Sequence, residues 1–123
     1  MENKTRNYRD LLVWQKGIQL AEVIYVLTAR CPAEEKFGFI AQLRRASVSI
    51  PSNIAEGQAR RTTGEFVQFI SNAEGSIAEV DTQLVLSIEL NICRDTEAAF
   101  AFGLIAELQK TLNALRPKLL ARA

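Results

Sequence analysis

Apolar residues recur every three or four positions along most of this chain, the spacing that lines one face of an α-helix, and no stretch alternates in the period of a half-buried strand. From Asp10 onward, Leu11, Trp14, Ile18, Ala21, Tyr25 and Thr28 form one stripe, with Val13, Gly17, Leu20, Ile24 and Leu27 beside it. A first helix is therefore expected over residues 10–30, with a face wide enough to touch more than one neighbour. Asp10 suits its positive end and Arg30 its negative end, before Cys31-Pro32. A second helix is expected over residues 33–60. Pro32 fits at or just before its first turn, Glu34 and Glu35 follow, and Phe39, Leu43, Ala46, Ile50 and Ile54 keep phase on both sides of Pro51.

Thr62-Thr63-Gly64-Glu65 reads as a capping box, in which the Thr62 hydroxyl and Glu65 carboxylate serve each other's free N–H groups. It opens a third helix over residues 63–91, with Phe66, Ile70, Ala73, Ile77, Val80, Leu84 and Ser87 on its core stripe and Asn91 as its stop. Asp95, with Glu97 in the first turn, starts a fourth over residues 95–119. Its stripe is Ala98, Ala101, Ile105, Leu108, Leu112, Leu115 and Leu119, and Pro117 is expected to end or bend the last turn. Residues 1–9 lack periodicity and read as a mobile tail, so residues 10–120 hold the folded domain. Connections this short force each helix to run opposite to the one before it. The predicted fold is all-α, an up-down-up-down antiparallel four-helix bundle with a Pro-kinked second helix.

Pro51 is the main irregularity. It has no N–H, so the Ser47 carbonyl loses its helical donor and meets the pyrrolidine ring, at a cost of about 3 kcal/mol. Ser47, Ser49, Ser52 and Asn53 surround the fault with groups able to bond displaced backbone. A segment that gives up helix propensity so often is expected to re-aim half a helix or present polar atoms to a partner. At about 100° per residue, Arg45, Ser49, Ser52, Glu56 and Arg60 share one narrow sector, with Asn53 at its margin. The sector is either a recognition stripe for phosphate, an acidic partner or another subunit, or a solvated face on which Glu56 and Arg60 pair. Arg44, Arg45, Ser49, Pro51, Ser52, Asn53, Glu56, Gly57 and Arg60 are the candidate subunit-contact or recognition residues.

Composition narrows the function classes. The chain has 123 residues, enough for one domain with a real core, and 48% of them are apolar with only 6 Gly and 3 Pro, which excludes a disordered or fibrous chain. No apolar run reaches a membrane span and the start of the chain is polar, so a cytoplasmic protein with no membrane partner is expected. Net charge is +1, divided unevenly: residues 1–61 carry ten basic and six acidic groups, and residues 62–123 five and eight. Between Thr62 and Asn91 there are Glu65, Glu74, Glu79, Asp81 and Glu89 with no Lys or Arg. An acidic helix beside an Arg-bearing one suggests complementary faces, within a subunit or between subunits.

The absence of histidine removes His-dependent di-iron and zinc sites, haem ligation by His, and Ser-His-Asp or Cys-His catalysis. The glycines lie singly at 17, 38, 57, 64, 75 and 103, so no phosphate-cradling loop is formed. A non-enzymatic chain without cofactor or metal is expected. Cys31 and Cys93 fall in the first and third connections, which an up-down bundle puts at one end; they are either a redox pair or two structural thiols. Gly75 costs its helix about 1 kcal/mol, which the close approach of another backbone would offset, and Trp14 belongs to packing rather than to binding.

Leu11-Leu12-Val13-Trp14-Gln15-Lys16, Cys31-Pro32, Gln42-Leu43-Arg44-Arg45-Ala46, Ser49-Ile50-Pro51-Ser52-Asn53-Ile54-Ala55-Glu56-Gly57, Glu65-Phe66 and Gly75-Ser76-Ile77-Ala78-Glu79 together resemble one family over nearly the whole chain. It is the four-helix-bundle family of intervening-sequence proteins, encoded within 23S ribosomal RNA genes of some bacteria. The resemblance implies a cytosolic bundle that assembles as a homopentameric ring, with no established enzyme activity. The family is similar to the accessory variability determinant of diversity-generating retroelements, a basic pentamer that binds nucleic acid and a reverse transcriptase. That likeness marks Arg44, Arg45, Arg60 and Arg61 as polyanion contacts, although this chain is near neutral. The leading expectation is a non-enzymatic homo-oligomeric scaffold or adaptor; the alternative is a sequence-indifferent nucleic-acid-binding accessory module.

Overall fold

Four α-helices dominate the structure, a computed structural model that describes residues 7–122: α1 Leu12–Thr28, α2 Ala41–Gln58, α3 Thr63–Glu89 and α4 Asp95–Leu120. No strand occurs among the described residues, and none of their helices is long and apolar enough to cross a membrane. Residues 1–6 of the expected tail lie outside the described part. Residues 7–9 are not tail: the Asn7 side chain accepts the Arg9 N–H at 2.9 Å, and Tyr8–Asp10 forms a 3-10 turn. Tyr8 rests on Trp14 with ring centroids 5.5 Å apart, and Gln15 Nε2 donates to the Arg9 carbonyl at 2.9 Å.

The helix ends follow local chemistry. At Thr62 the capping box forms, with the Glu65 N–H donating to Thr62 Oγ1 at 3.1 Å and the Thr62 N–H to Glu65 Oε1 at 3.3 Å. After Glu89, Asn91 adopts φ 60°, the left-handed conformation that closes a helix. The Ile92 N–H then reaches the Ser87 carbonyl at 2.8 Å, and the Asn91 N–H the Ile88 carbonyl at 3.0 Å, the paired bonds of a Schellman motif. Asp95 is the first residue of α4, where the Glu97 carboxylate accepts the Arg94 N–H at 3.3 Å. One boundary departs from expectation. The second helix does not open as α-helix at residue 33; a 3-10 turn at Ala33–Glu35 and one π-helical segment at Lys36–Ile40 come first. α4 runs through Pro117 to Leu120, within one residue of the expected end, and the Ala121 N–H closes on the Pro117 carbonyl at 3.0 Å.

Contacts between neighbouring helices run in opposite order along the chain. Gly17 meets Pro51 while Tyr25 and Thr28 meet Arg44; Gly57 meets Phe66 and Phe69 while Ser49 meets Ser76. Glu74 pairs with Arg116, and Lys16 with Glu107. Each helix thus lies antiparallel to its sequence neighbour, and α4 closes on α1. The core is built from the expected stripes: Leu20 and Ile24 of α1, Leu43, Ile50 and Ile54 of α2, Ile70, Ile77 and Leu84 of α3, and Leu108 and Leu112 of α4 are buried. Of the two stripes on α1, the one through Val13, Gly17, Leu20, Ile24 and Leu27 is fully buried, and the one through Trp14 and Tyr25 lies at the margin against α2.

α2 is one continuous helix through Pro51, whose ring is buried against α1. A Cβ placed on Gly17 would stand 3.3 Å from both Pro51 Cβ and Cδ, so the glycine makes room for the proline. Gly17→Ala and Pro51→Ala are therefore expected to be coupled, because the new methyl fills the space that the ring vacates. The double variant should be more stable than the sum of the single effects predicts by about 1 kcal/mol. Urea denaturation of the four proteins measures this, and strict additivity would show that the two residues do not share a contact.

Candidate functional site

The candidate residues on α2 divide according to the neighbour they face. Arg44 turns to the end of α1, where its Nε donates to Thr28 Oγ1 at 2.8 Å and its Nη2 to the Tyr25 carbonyl at 3.3 Å. Its guanidinium lies 4.4 Å from the centroid of the Tyr25 ring. A cation at the carbonyl-rich end of a helix is a stabilising arrangement, so Arg44 ties α2 to α1 within the subunit. Pro51 faces the same side.

Ser49, Asn53 and Gly57 turn toward α3. Ser49 Oγ donates to the Ala46 carbonyl at 2.7 Å and keeps a lone pair for the Ser76 hydroxyl at 2.6 Å. Asn53 Nδ2 donates back to the Ser49 carbonyl at 2.8 Å, and buried Ser47 Oγ donates to the Arg44 carbonyl at 2.8 Å. The polar run around Pro51 thus turns much of its bonding onto its own helix backbone. Gly57 has no room for a side chain: a Cβ there would lie 2.7 Å from Phe69 Cβ and 2.9 Å from Phe66 Cδ1. Small residues at 46, 49, 57 and 76 bring α2 and α3 close together.

Arg45, Ser52, Glu56 and Arg60 remain on the surface. Glu56 and Arg60 pair at 3.7 Å, and the Arg60 guanidinium lies 4.7 Å from the centroid of the Phe69 ring. Between α2 and α3 an open groove is lined by Gln42, Arg45, Ala46, Ser49 and Glu79. Arg45 borders it without an ion-pair partner among the described residues, and the same holds for Glu79, Asp81 and Glu89 of the acidic α3. Glu74 instead receives a two-pronged contact from Arg116 of α4, which also donates to Ser71 Oγ at 3.0 Å. No group of three or more acidic or thiol side chains among the described residues is placed to hold a metal ion.

Residues 9–114 match the model of the 23S rRNA-intervening sequence protein family. The chain belongs to this family. No curated protein matches it. The segment matched contains all of α1, α2 and α3 and most of α4, so the family pattern covers the groove and both of its walls.

Within this intervening-sequence protein, sequence reading placed the α2 sector but missed its partners across the groove. Ser76 and Glu79 lie three residues apart on the α3 side turned to α2, followed by Gln83, Leu86 and Leu90 at the same spacing. Leu86 and Leu90 are 46% and 58% exposed, on a helix whose core stripe is already complete. Gly75, also on the outer face, has nothing within 4 Å of where its Cβ would be. A Glu and two leucines continuing a 3-4 pattern off the core stripe were the available signal.

Proposed function

We propose that this chain is a non-enzymatic cytoplasmic scaffold or adaptor that acts as a closed homo-oligomeric ring, most simply the homopentamer that its family resemblance implies. The observation that carries the reading is the presence of two exposed apolar surfaces on opposite sides of one bundle. On the α2–α3 side stand Leu86 and Leu90; in the groove between α1 and α4, Val26 is 61% and Phe100 59% exposed, beside Val23 and Leu27. Two different surfaces on opposite sides suit head-to-tail contact, which closes into a ring when the rotation per subunit allows. The engagement of Arg44 and Arg60 inside the subunit removes two of the four arginines that a polyanion-binding role would use, and a net charge of +1 gives such a role little field to draw on.

Size-exclusion chromatography with light scattering tests the proposal. The expected mass is five times the 13.7 kDa of one chain at micromolar concentration. A peak at the mass of one chain removes the ring.

A further inference from the structure

The two cysteines of the chain lie 62 residues apart in sequence, yet their sulfurs are 3.4 Å apart in the structure. Cys31 is half-buried in the connection after α1, and Cys93 is buried in the connection before α4. Neither lies within an α-helix. The Cys31 N–H is anchored on the Thr28 carbonyl and the Cys93 N–H on the Ser87 carbonyl, each at 3.1 Å, so both sulfurs are placed by the ends of adjoining helices.

We infer that Cys31 and Cys93 form a thiol–disulfide exchange site whose substrate is a small-molecule disulfide. A disulfide bond is about 2.05 Å long, so the sulfurs need to approach by only about 1.4 Å, a displacement that irregular connections absorb more readily than helix interiors. Access exists from outside. Cys31 opens on a cleft lined by Thr28, Ala33, Ile40 and Arg44, and Cys93 lines a second hollow beside Asn91 and Arg94. Arg44 is held in the first cleft by Thr28 and Tyr25, where its charge favours an anionic oxidant such as glutathione disulfide.

The exchange balances in two steps. One cysteine, as thiolate, attacks a sulfur of the small disulfide; the oxidant's S–S bond breaks, and its leaving thiolate takes up a proton. The second cysteine, as thiolate, then attacks the protein sulfur of this mixed disulfide and expels the other small thiolate, which is protonated in turn. The cysteine pair loses two electrons and two protons, and one small disulfide becomes two small thiols. The product staples the connection after α1 to the connection before α4. Burial, then the hydrogen bond and charge of Cys93, push the Cys31 thiol up to about 12, so exchange is slow at neutral pH and guarded rather than spontaneous.

The test incubates the purified full chain in glutathione buffers of rising oxidised fraction at pH 8.5 and counts free thiols by mass after alkylation. The expected product is a chain lacking two hydrogens, with the bond within one polypeptide and a Tm raised by about 10 °C, since a long loop has been closed. Cys31→Ser and Cys93→Ser, which keep the size of the side chain, should each instead retain glutathione as a stable mixed disulfide and show no such rise. Where Cys31 is the attacking group, as in Cys93→Ser, exchange should also speed up about tenfold for each pH unit between 7 and 9. Two free thiols persisting at equilibrium in fully oxidised glutathione, or bonds formed only between chains, would overturn the inference.

Discussion

Gly57→Ala is expected to destabilise the subunit by about 2 kcal/mol, although alanine is the better helix former by about 1 kcal/mol. The reason is the seam between α2 and α3. The added methyl would sit 2.7 Å from Phe69 Cβ and 2.9 Å from Phe66 Cδ1, with the Phe66 carbonyl at 3.3 Å. Phe66 can turn its ring aside, but Phe69 Cβ is fixed to the backbone, so the helices must separate and the Ser49–Ser76 hydrogen bond at 2.6 Å is stretched with them. Gly75→Ala is the natural control, because its methyl meets nothing within 4 Å inside the subunit and should add about 1 kcal/mol. Urea midpoints followed by circular dichroism compare the two. If Gly57→Ala proves as stable as the parent, α2 and α3 are not held in the close approach described.

Leu86→Lys should have a comparably large effect on assembly and almost none on the fold of the subunit. Leu86 is 46% exposed and absent from the core, so a charged replacement on this surface should change subunit stability by no more than about 0.5 kcal/mol. In the proposed ring the same side chain would be buried against the apolar groove between α1 and α4, where an unpaired ammonium is strongly disfavoured. The expected result is a helical, cooperatively melting protein that elutes at the 13.7 kDa of one chain. Phe100→Lys, on the opposite surface, should give the same outcome. Retention of parental mass by both variants would mean that the two apolar surfaces do not meet each other.

Much of the fold could be read from the sequence because its cues are local. Spacing of Ile70, Ile77 and Leu84 or of Ala101, Leu108 and Leu112 marks a core face without knowledge of the neighbour, and Thr62 and Glu65 specify a helix start within one turn. Asn91 reads as a stop for the same reason. The lead into α2 is not legible because a five-residue π-helical segment is little longer than one turn, too short for apolar spacing to distinguish its hydrogen-bond ladder from that of an α-helix. Pro117 is tolerated inside the end of α4 because a proline in the last turn of a helix removes little. At the site, the angular sector of Arg45, Ser49, Ser52 and Glu56 was accessible from the sequence, but the destinations of Arg44 and Pro51 were not. They depend on Thr28, Tyr25 and Gly17 of another helix, and no one-dimensional spacing reports such a partner.

The close seam between α2 and α3 also bears on the order in which the chain folds. Only residues 59–62 separate these two helices, and theirs is the most extensive helix pairing in the bundle. Closing so short a loop costs little chain entropy, whereas bringing α4 onto α1 must enclose most of the polypeptide. The α2–α3 hairpin is therefore the natural nucleus, with α1 and α4 docking onto a preformed template. Tight packing of glycine and serine along that hairpin then governs the speed of folding, while the outer helices, added later, govern how readily the molecule comes apart.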